Sequence, residues 1–303
     1  MSVRRLAFVL VAVVTLVVGA ACGGRPDEGD PAGVPVVTTT TILADLVGQV
    51  GGDRVRVESL VPKGGEVHTF DPTPSDIRRV TDARLVVRNG LGLDDWLGEI
   101  VGDTGTQAPI VALGDDLPGV TLIAGAEPGE AANPHLWMNV AYASAYAERI
   151  GEALVAADPE GGETYRANLA GFQERLAALD EDARTQLGRI PEANRTVISF
   201  HDAFPYFAAA YGLTVDGTVV DAPGQDPSAG QVAALVSRIR DGGVRAIFAE
   251  AQFNPDIVDT IAAETGATVV SDLYTDSVGD PPQDTYEGLM RWNVDRVVAA
   301  LGG

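Results

Sequence analysis

Three histidines stand in a chain of 303 residues, at positions 68, 135 and 201. An imidazole can act as a general base or a proton carrier, and it is the commonest metal-ligating side chain. Each of the three sits in a loop that leads into a helix. His68 lies in Val67-His68-Thr69-Phe70-Asp71-Pro72-Thr73-Pro74-Ser75-Asp76, where two prolines and a Ser/Asp pair predict a helix start with Ser75 or Asp76 as N-cap. His135 lies in Asn133-Pro134-His135-Leu136-Trp137-Met138-Asn139, and His201 follows the run Thr196 to Phe200. In α/β folds ligands bind beyond the carboxyl ends of strands, the position His201 takes. Three imidazoles joined by one carboxylate would make a tetrahedral-type metal site. Taken singly, each histidine reads more readily as a hydrogen-bonded structural residue. Intervals of 67 and 66 residues are no motif, and they do not show that the three converge.

The carboxylate is less defined. Asp276 follows a strand-like run in a loop with Thr275 and Ser277, but Asp272 and Asp280 flank it, and spacing does not choose among them. Glu250 ends the apolar run Ile247-Phe248-Ala249. It either orients an imidazole or faces solvent as an ordinary strand-end acid.

These residues need elements to position them. Val34 to Thr39, Val55 to Val61, Arg84 to Arg88 and Pro109 to Leu113 read as strands, with amphipathic helices at Ile42 to Val50 and Ala141 to Ala157. The second half repeats the alternation: strands at Thr196 to Phe200, Thr214 to Val220, Val244 to Ala249 and Ala267 to Ser271, helices near Ser228 to Arg240, Pro255 to Thr265 and Thr285 to Ala300. Such β-α-β alternation predicts α/β architecture with mostly parallel sheets. Between the halves, Tyr165, Leu169, Phe172, Leu176, Leu179, Ala183 and Leu187 form an apolar stripe at helical spacing. The stripe predicts one helix from Glu163 to Gly188, about 39 Å long at 1.5 Å per residue, acting as a rigid strut between two lobes with separate cores. The expected division is 34–158 for the first lobe, 159–190 for the linking helix and 191–303 for the second lobe.

The formal net charge is −22, which disfavours nucleic acid and anionic lipid and biases the field towards cations. Arg4 and Arg5 precede an apolar run, Leu6 to Ala21, that ends in small residues. This is the pattern of a secretory leader over 1–21; its apolar run of 16 residues falls short of the ~20 that span a bilayer. Cys22 is the only cysteine, so no intramolecular disulfide forms. Its place directly after small residues resembles a bacterial lipobox, with Gly19 where leucine is commonest; the alternative is a simple leader followed by an incidental cysteine. We read Cys22 as lipidated, and residues 22–33 as the lipidated cysteine and a flexible tether. The protein is then extracytoplasmic, anchored to the cell membrane or periplasmic, held to the membrane only through lipid, and expected to be a monomer.

The run His68-x-Phe70-Asp71-Pro72-Thr73-Pro74-Ser75-Asp76 resembles the signature of the TroA-like (cluster A-I) substrate-binding proteins of bacterial zinc and manganese ABC transporters. Further matches are Asn-Pro-His135-x-Trp, Phe-His201-Asp-Ala-Phe-x-Tyr-Phe, Ile247-Phe248-Ala249-Glu250 and Leu273-Tyr274-Thr275-Asp276-Ser277, in order across the mature chain. The resemblance implies two α/β lobes joined by a single long helix, with a transition-metal ion between them. Carried across, the implied ligands are His68, His135, His201 and Asp276, with Glu250 beside an imidazole. Manganese members commonly have glutamate where His201 stands, so the resemblance implies zinc; manganese, or mixed zinc, manganese and iron handling, is the alternative. The implied partner is a membrane ABC permease.

Two departures qualify it. Asn133 and Asn139 replace common aspartates, which implies less charge around His135. Gly114 to Ala132 holds Asp115, Asp116, Glu127 and Glu130 but no histidine, so a metal-capturing His-rich loop is absent. A zinc hydrolase is the rival from another class, since three ligands plus water is a catalytic arrangement. Four protein ligands leave it no open position, and no HExxH or Gly-x-Ser-x-Gly run is present. A binder of an organic metal chelate, whose histidines never touch metal, is a third reading.

Overall fold

Both halves of the chain form a four-stranded parallel sheet. The structure is a computed structural model and describes residues 33–125, 132–220, 222–251 and 256–302. The leader, Cys22, the tether up to residue 32, and Glu127 and Glu130 lie outside the described residues. In the first lobe β1 (Val34–Thr38), α1 (Thr41–Gly51), β2 (Val55–Ser59), α2 (Pro74–Asp82), β3 (Leu85–Arg88), α3 (Leu97–Thr104), β4 (Ile110–Ala112) and α4 (Val140–Ala157) follow one another, with sheet order β2-β1-β3-β4. After α5 (Gly162–Leu187), the second lobe contains β5 (Thr196–Ser199), α6 (Pro205–Tyr211), β6 (Thr214–Thr218), α7 (Ala229–Gly242), β7 (Ala246–Glu250), α8 (Asp256–Thr265), β8 (Thr268–Leu273) and α9 (Tyr286–Leu301), in the equivalent order β6-β5-β7-β8. All six strand pairings among the described residues are parallel.

Helices cover parallel sheets, so central strands read as continuous apolar runs. Every residue of β7 is buried, and so are Leu85, Val86 and Val87 of β3. Helix α1 starts at Thr40, whose hydroxyl accepts the Leu43 N–H.

The N-cap of α2 differs from the sequence expectation. It is Thr73, not Ser75 or Asp76. Pro74 occupies the first helical position, where its fixed φ suits the helix and its missing N–H costs nothing. Asp76 therefore falls at the third position, and its carboxylate accepts from the Thr73 N–H and hydroxyl, both at 2.7 Å. That reciprocal cap fixes the chain just downstream of His68.

The predicted long helix is present as α5, 26 residues ending at Gly188. It buries Tyr165, Phe172, Leu176, Leu179, Ala183 and Leu187, packing on α1 and α4 of the first lobe and on α6 and α9 of the second. The expectation of two separate cores is corrected. One cluster of buried apolar side chains runs from Val36 and Leu46 through Phe172 and Leu176 to Phe207, Phe248 and Val294. The physical reason is the width of the apolar stripe: it faces both lobes at once, and α9 returns to pack along it. Smaller clusters lie on the outer face of each sheet. Among the described residues no helix is long and apolar enough to cross a membrane.

Candidate metal centre

Four loops leave the carboxyl ends of strands and meet in the cleft. His68 lies beyond β2, His135 beyond β4, His201 directly beyond β5 and Asp276 beyond β8. The structure brings these four side chains together, one potential ligand atom from each lying within 4.8 Å of all the others. The Nε2 atoms of the imidazoles face the Asp276 carboxylate, at 3.4 Å from His201, 3.5 Å from His135 and 3.9 Å from His68. His201 Nε2 and His135 Nε2 are 3.4 Å apart.

The other two aspartates go elsewhere. Asp272 pairs with Arg296, and exposed Asp280 pairs with Lys63 at 2.7 Å. Asp276 alone of the three is turned into the cleft. Neither of its buried oxygens has a donor in hydrogen-bonding geometry. A buried carboxylate is costly unless positive charge meets it, and in the metal-free protein the facing imidazoles, His201 first, supply it. Three imidazole nitrogens and these oxygens make a donor set that fits a divalent transition metal.

The imidazoles of His201 and His135 are held from behind. Glu250, at the end of β7, is buried with its Oε1 2.9 Å from His201 Nδ1, so it faces the imidazole and not solvent. A carboxylate there keeps the proton on Nδ1 and turns Nε2 towards the cleft. Asn133 Oδ1 lies 3.1 Å from His135 Nδ1 and accepts the His135 backbone N–H at 3.0 Å. His68 is steadied through its main chain, its N–H donating to Glu66 Oε1 at 2.9 Å. Glu66 was not singled out from the sequence, since nothing in its type distinguishes it among 43 acidic residues. Its one legible signal is its place two residues before His68.

Charge is unevenly divided among the three rings. Burial lowers the His68 pKa to about 4 and that of His135 well below 6.5, the pull of Asp276 notwithstanding. Burial also acts on His201, but Glu250 and Asp276 together outweigh it and hold its pKa well above 6.5. Burial pushes Asp276 up, and the three imidazoles overcome this and lower it. Glu66 is raised to about 7, by burial first and then by the charge of Asp276. Burial also raises Glu250, so before metal enters the shifts favour a positive charge shared around His201 and its carboxylates, and neutral forms of His68 and His135.

The expected effect of the two asparagines also resolves. Asn139 caps α4, its side chain accepting the Ala141 N–H. Only Asn133 touches His135.

The family described as zinc-uptake complex component A, periplasmic, matches residues 36–300. The chain belongs to that family. It is 31% identical to the manganese-binding lipoprotein MntA of Halalkalibacterium halodurans, over 98% of this chain and 99% of that protein. It is 28% identical to FimA, a metal ABC transporter substrate-binding lipoprotein of Streptococcus parasanguinis, over 98% and 99%. Among solved structures, the periplasmic zinc binding protein TroA from Treponema pallidum aligns with a TM-score of 0.81 at 27% identity, covering 89% of this chain and all of that one. The zinc-uptake component family consists of metal-binding substrate-binding proteins of ABC transporters, which are not enzymes. The hydrolase alternative falls away on that ground.

Proposed function

We propose that this protein captures zinc outside the cytoplasm and delivers it to a membrane ABC permease. The observation that carries the reading is the meeting of three imidazole Nε2 atoms at the Asp276 carboxylate. We take His68, His135, His201 and Asp276 as the ligands, and Glu250 as the residue that orients His201. Three nitrogens and one carboxylate suit four-coordinate zinc, whereas manganese favours oxygen-rich sites. The names of related proteins support transport but divide between metals, manganese for MntA and zinc for TroA. Zinc is therefore argued from the donor set.

The same reading places a leader over 1–21 and a lipidated Cys22, in keeping with relatives named lipoproteins. It also takes residues 34–158 and 191–303 as the lobes joined by the segment 159–190, and the protein as a monomer.

The test is elemental analysis of the purified protein before and after chelation, followed by His201→Glu. Nitrogen-rich sites bind Zn²⁺ more tightly than Mn²⁺ whatever their role, so a ranking alone decides little. Exchanging one nitrogen for carboxylate oxygen should narrow the gap between the two affinities, measured by competition at fixed pH. A wild type that binds manganese as tightly as zinc, or a gap unmoved by the substitution, would overturn the zinc assignment. Mass spectrometry of the membrane-extracted protein should find a lipid-modified Cys22.

A further inference from the structure

Asn133 makes more contacts across the cleft than its small side chain suggests. It belongs to the first lobe, two residues before His135. Its Nδ2 donates to the Asp202 carbonyl at 2.6 Å and to Asp202 Oδ2 at 2.9 Å, and Asp202 directly follows His201 in the second lobe. Its own carbonyl accepts from the Tyr206 hydroxyl of α6 at 3.0 Å. Asn133 and Asp202 are both buried.

This arrangement leaves the Asn133 amide no choice of orientation. The Asp202 backbone carbonyl can only accept, so the Asn133 NH₂ must face it. The Asn133 oxygen then faces His135, where the backbone N–H is a donor by nature. That oxygen cannot donate, so His135 Nδ1 must carry the ring proton. Nε2 is left as a lone pair, directed at Asp276 and the other two imidazoles. Where His201 is backed directly by a carboxylate, His135 is backed by a carboxylate acting through an amide.

We propose that Asn133 is a positioning residue that passes the influence of the second lobe's Asp202 to His135 in the first lobe, fixing which ring nitrogen is offered to the metal. The consequence for metal binding rests on His135 being a ligand; the tautomer does not. An aspartate in place of Asn133, nearly identical in shape, would set a carboxylate against the Asp202 backbone carbonyl and side-chain oxygen at hydrogen-bond distance.

Two measurements test it. Long-range ¹⁵N–¹H NMR of the metal-free wild type should find His135 protonated on Nδ1 and bare on Nε2. Protonation on Nε2 would overturn the proposal, and this readout is independent of which metal the protein carries. Zinc titration of Asn133→Asp should then show affinity falling roughly 10–100-fold, the range for losing a partner behind a ligating histidine. Adding Asp202→Asn should recover part of that loss, because an amide on the second lobe then donates to the carboxylate on the first, although the backbone carbonyl of residue 202 still faces that carboxylate. If Asn133→Asp binds zinc like wild type, or the double variant recovers nothing, Asn133 only fills space and the relay is wrong. A wild type that binds no zinc yet shows the stated tautomer would sink the proposed function and leave this inference standing.

Discussion

The indole N–H of Trp137 donates across the cleft to the carbonyl of Thr275, at 2.6 Å. Trp137 stands two residues after His135, and Thr275 one residue before Asp276. The bond fixes the spacing of a first-lobe imidazole and a second-lobe carboxylate through the main chain. The Tyr286 hydroxyl donates to the Trp137 carbonyl at 2.7 Å and holds the indole segment from below. Further along, Ser277 Oγ accepts the Gly64 N–H at 2.8 Å, a donor aimed by a φ of +72° that glycine adopts without strain. The centre is tied together on both sides by bonds that need no metal.

Trp137→Phe should therefore weaken metal binding although Trp137 touches no metal in any reading. It leaves the buried Thr275 carbonyl without its indole donor, a loss of about 1–3 kcal/mol. Competition against a chromophoric chelator would measure the affinity. Unchanged affinity would mean the loop holding Asp276 is set by other contacts.

Alanine at His68, His135, His201 or Asp276 should each cause severe loss of metal binding and leave the metal-free fold largely intact, since all four lie on loops. Zinc at a hundredfold excess over its Kd should stabilise the wild type by ~2.7 kcal/mol, because it binds only the native state. Thermal melts with and without metal read both effects. A variant with wild-type affinity would remove that residue from the ligand set.

Metal binding at pH 7 should release protons, because the entering cation displaces them from its ligands. His201, raised well above 6.5, should be the main source, and Glu66, raised to about 7, should add to it as the cation's charge lowers it. His68 and His135 are already neutral and contribute none. Calorimetry in buffers of different ionisation enthalpy counts these protons, and a count of zero would contradict the charge assignment. The same groups shape the stability of the metal-free protein. His68 and His135 bind fewer protons folded than unfolded, so their contribution is lost as pH falls below 6.5, for His68 through a folded value of about 4 and for His135 through a value likewise well below 6.5. His201 acts in the opposite sense, its contribution fading as pH rises through its raised pKa.

Phe172→Ala, in the middle of α5, should destabilise by about 3–5 kcal/mol, the usual range for emptying a buried aromatic site. Because Phe172 belongs to a core shared by both lobes, calorimetry should show one cooperative transition at a lower temperature. Two separated transitions would mean that the lobes unfold independently.

Much of this was legible in the sequence, for identifiable reasons. The β-strands could be placed because parallel strands covered on both faces leave apolar runs between turn residues, and each runs within a few residues of its expected bounds. The stripe from Tyr165 to Leu187 gave the 26-residue α5 because helical spacing sustained over so long a run has no strand counterpart. Helix α3 left no such trace, carrying Gly98 and Gly102 and no capping side chain. The histidines stood out by rarity, but their meeting depends on contacts between residues 66 and more apart, which no local pattern encodes. Asp276 and its neighbours Asp272 and Asp280 look alike in sequence; only the turn of the loop after β8 separates them. Asn133 looked like a lost charge. It proved to be an amide set between a histidine and the charge of Asp202, a relation visible only when both lobes are in place.

The uninterrupted core through α5 bears on how this scaffold could serve as a metal reporter. Fluorescent domains fused to the two ends of the chain would sense little, since a shared interior resists the wide opening such pairs need. A small environment-sensitive dye at exposed Thr69, beside His68 and packed near Gly224 of the opposite lobe, would sit where a local rearrangement around the ion is felt. In this architecture the useful signal lies in the rim of the site and not in the distance between its ends.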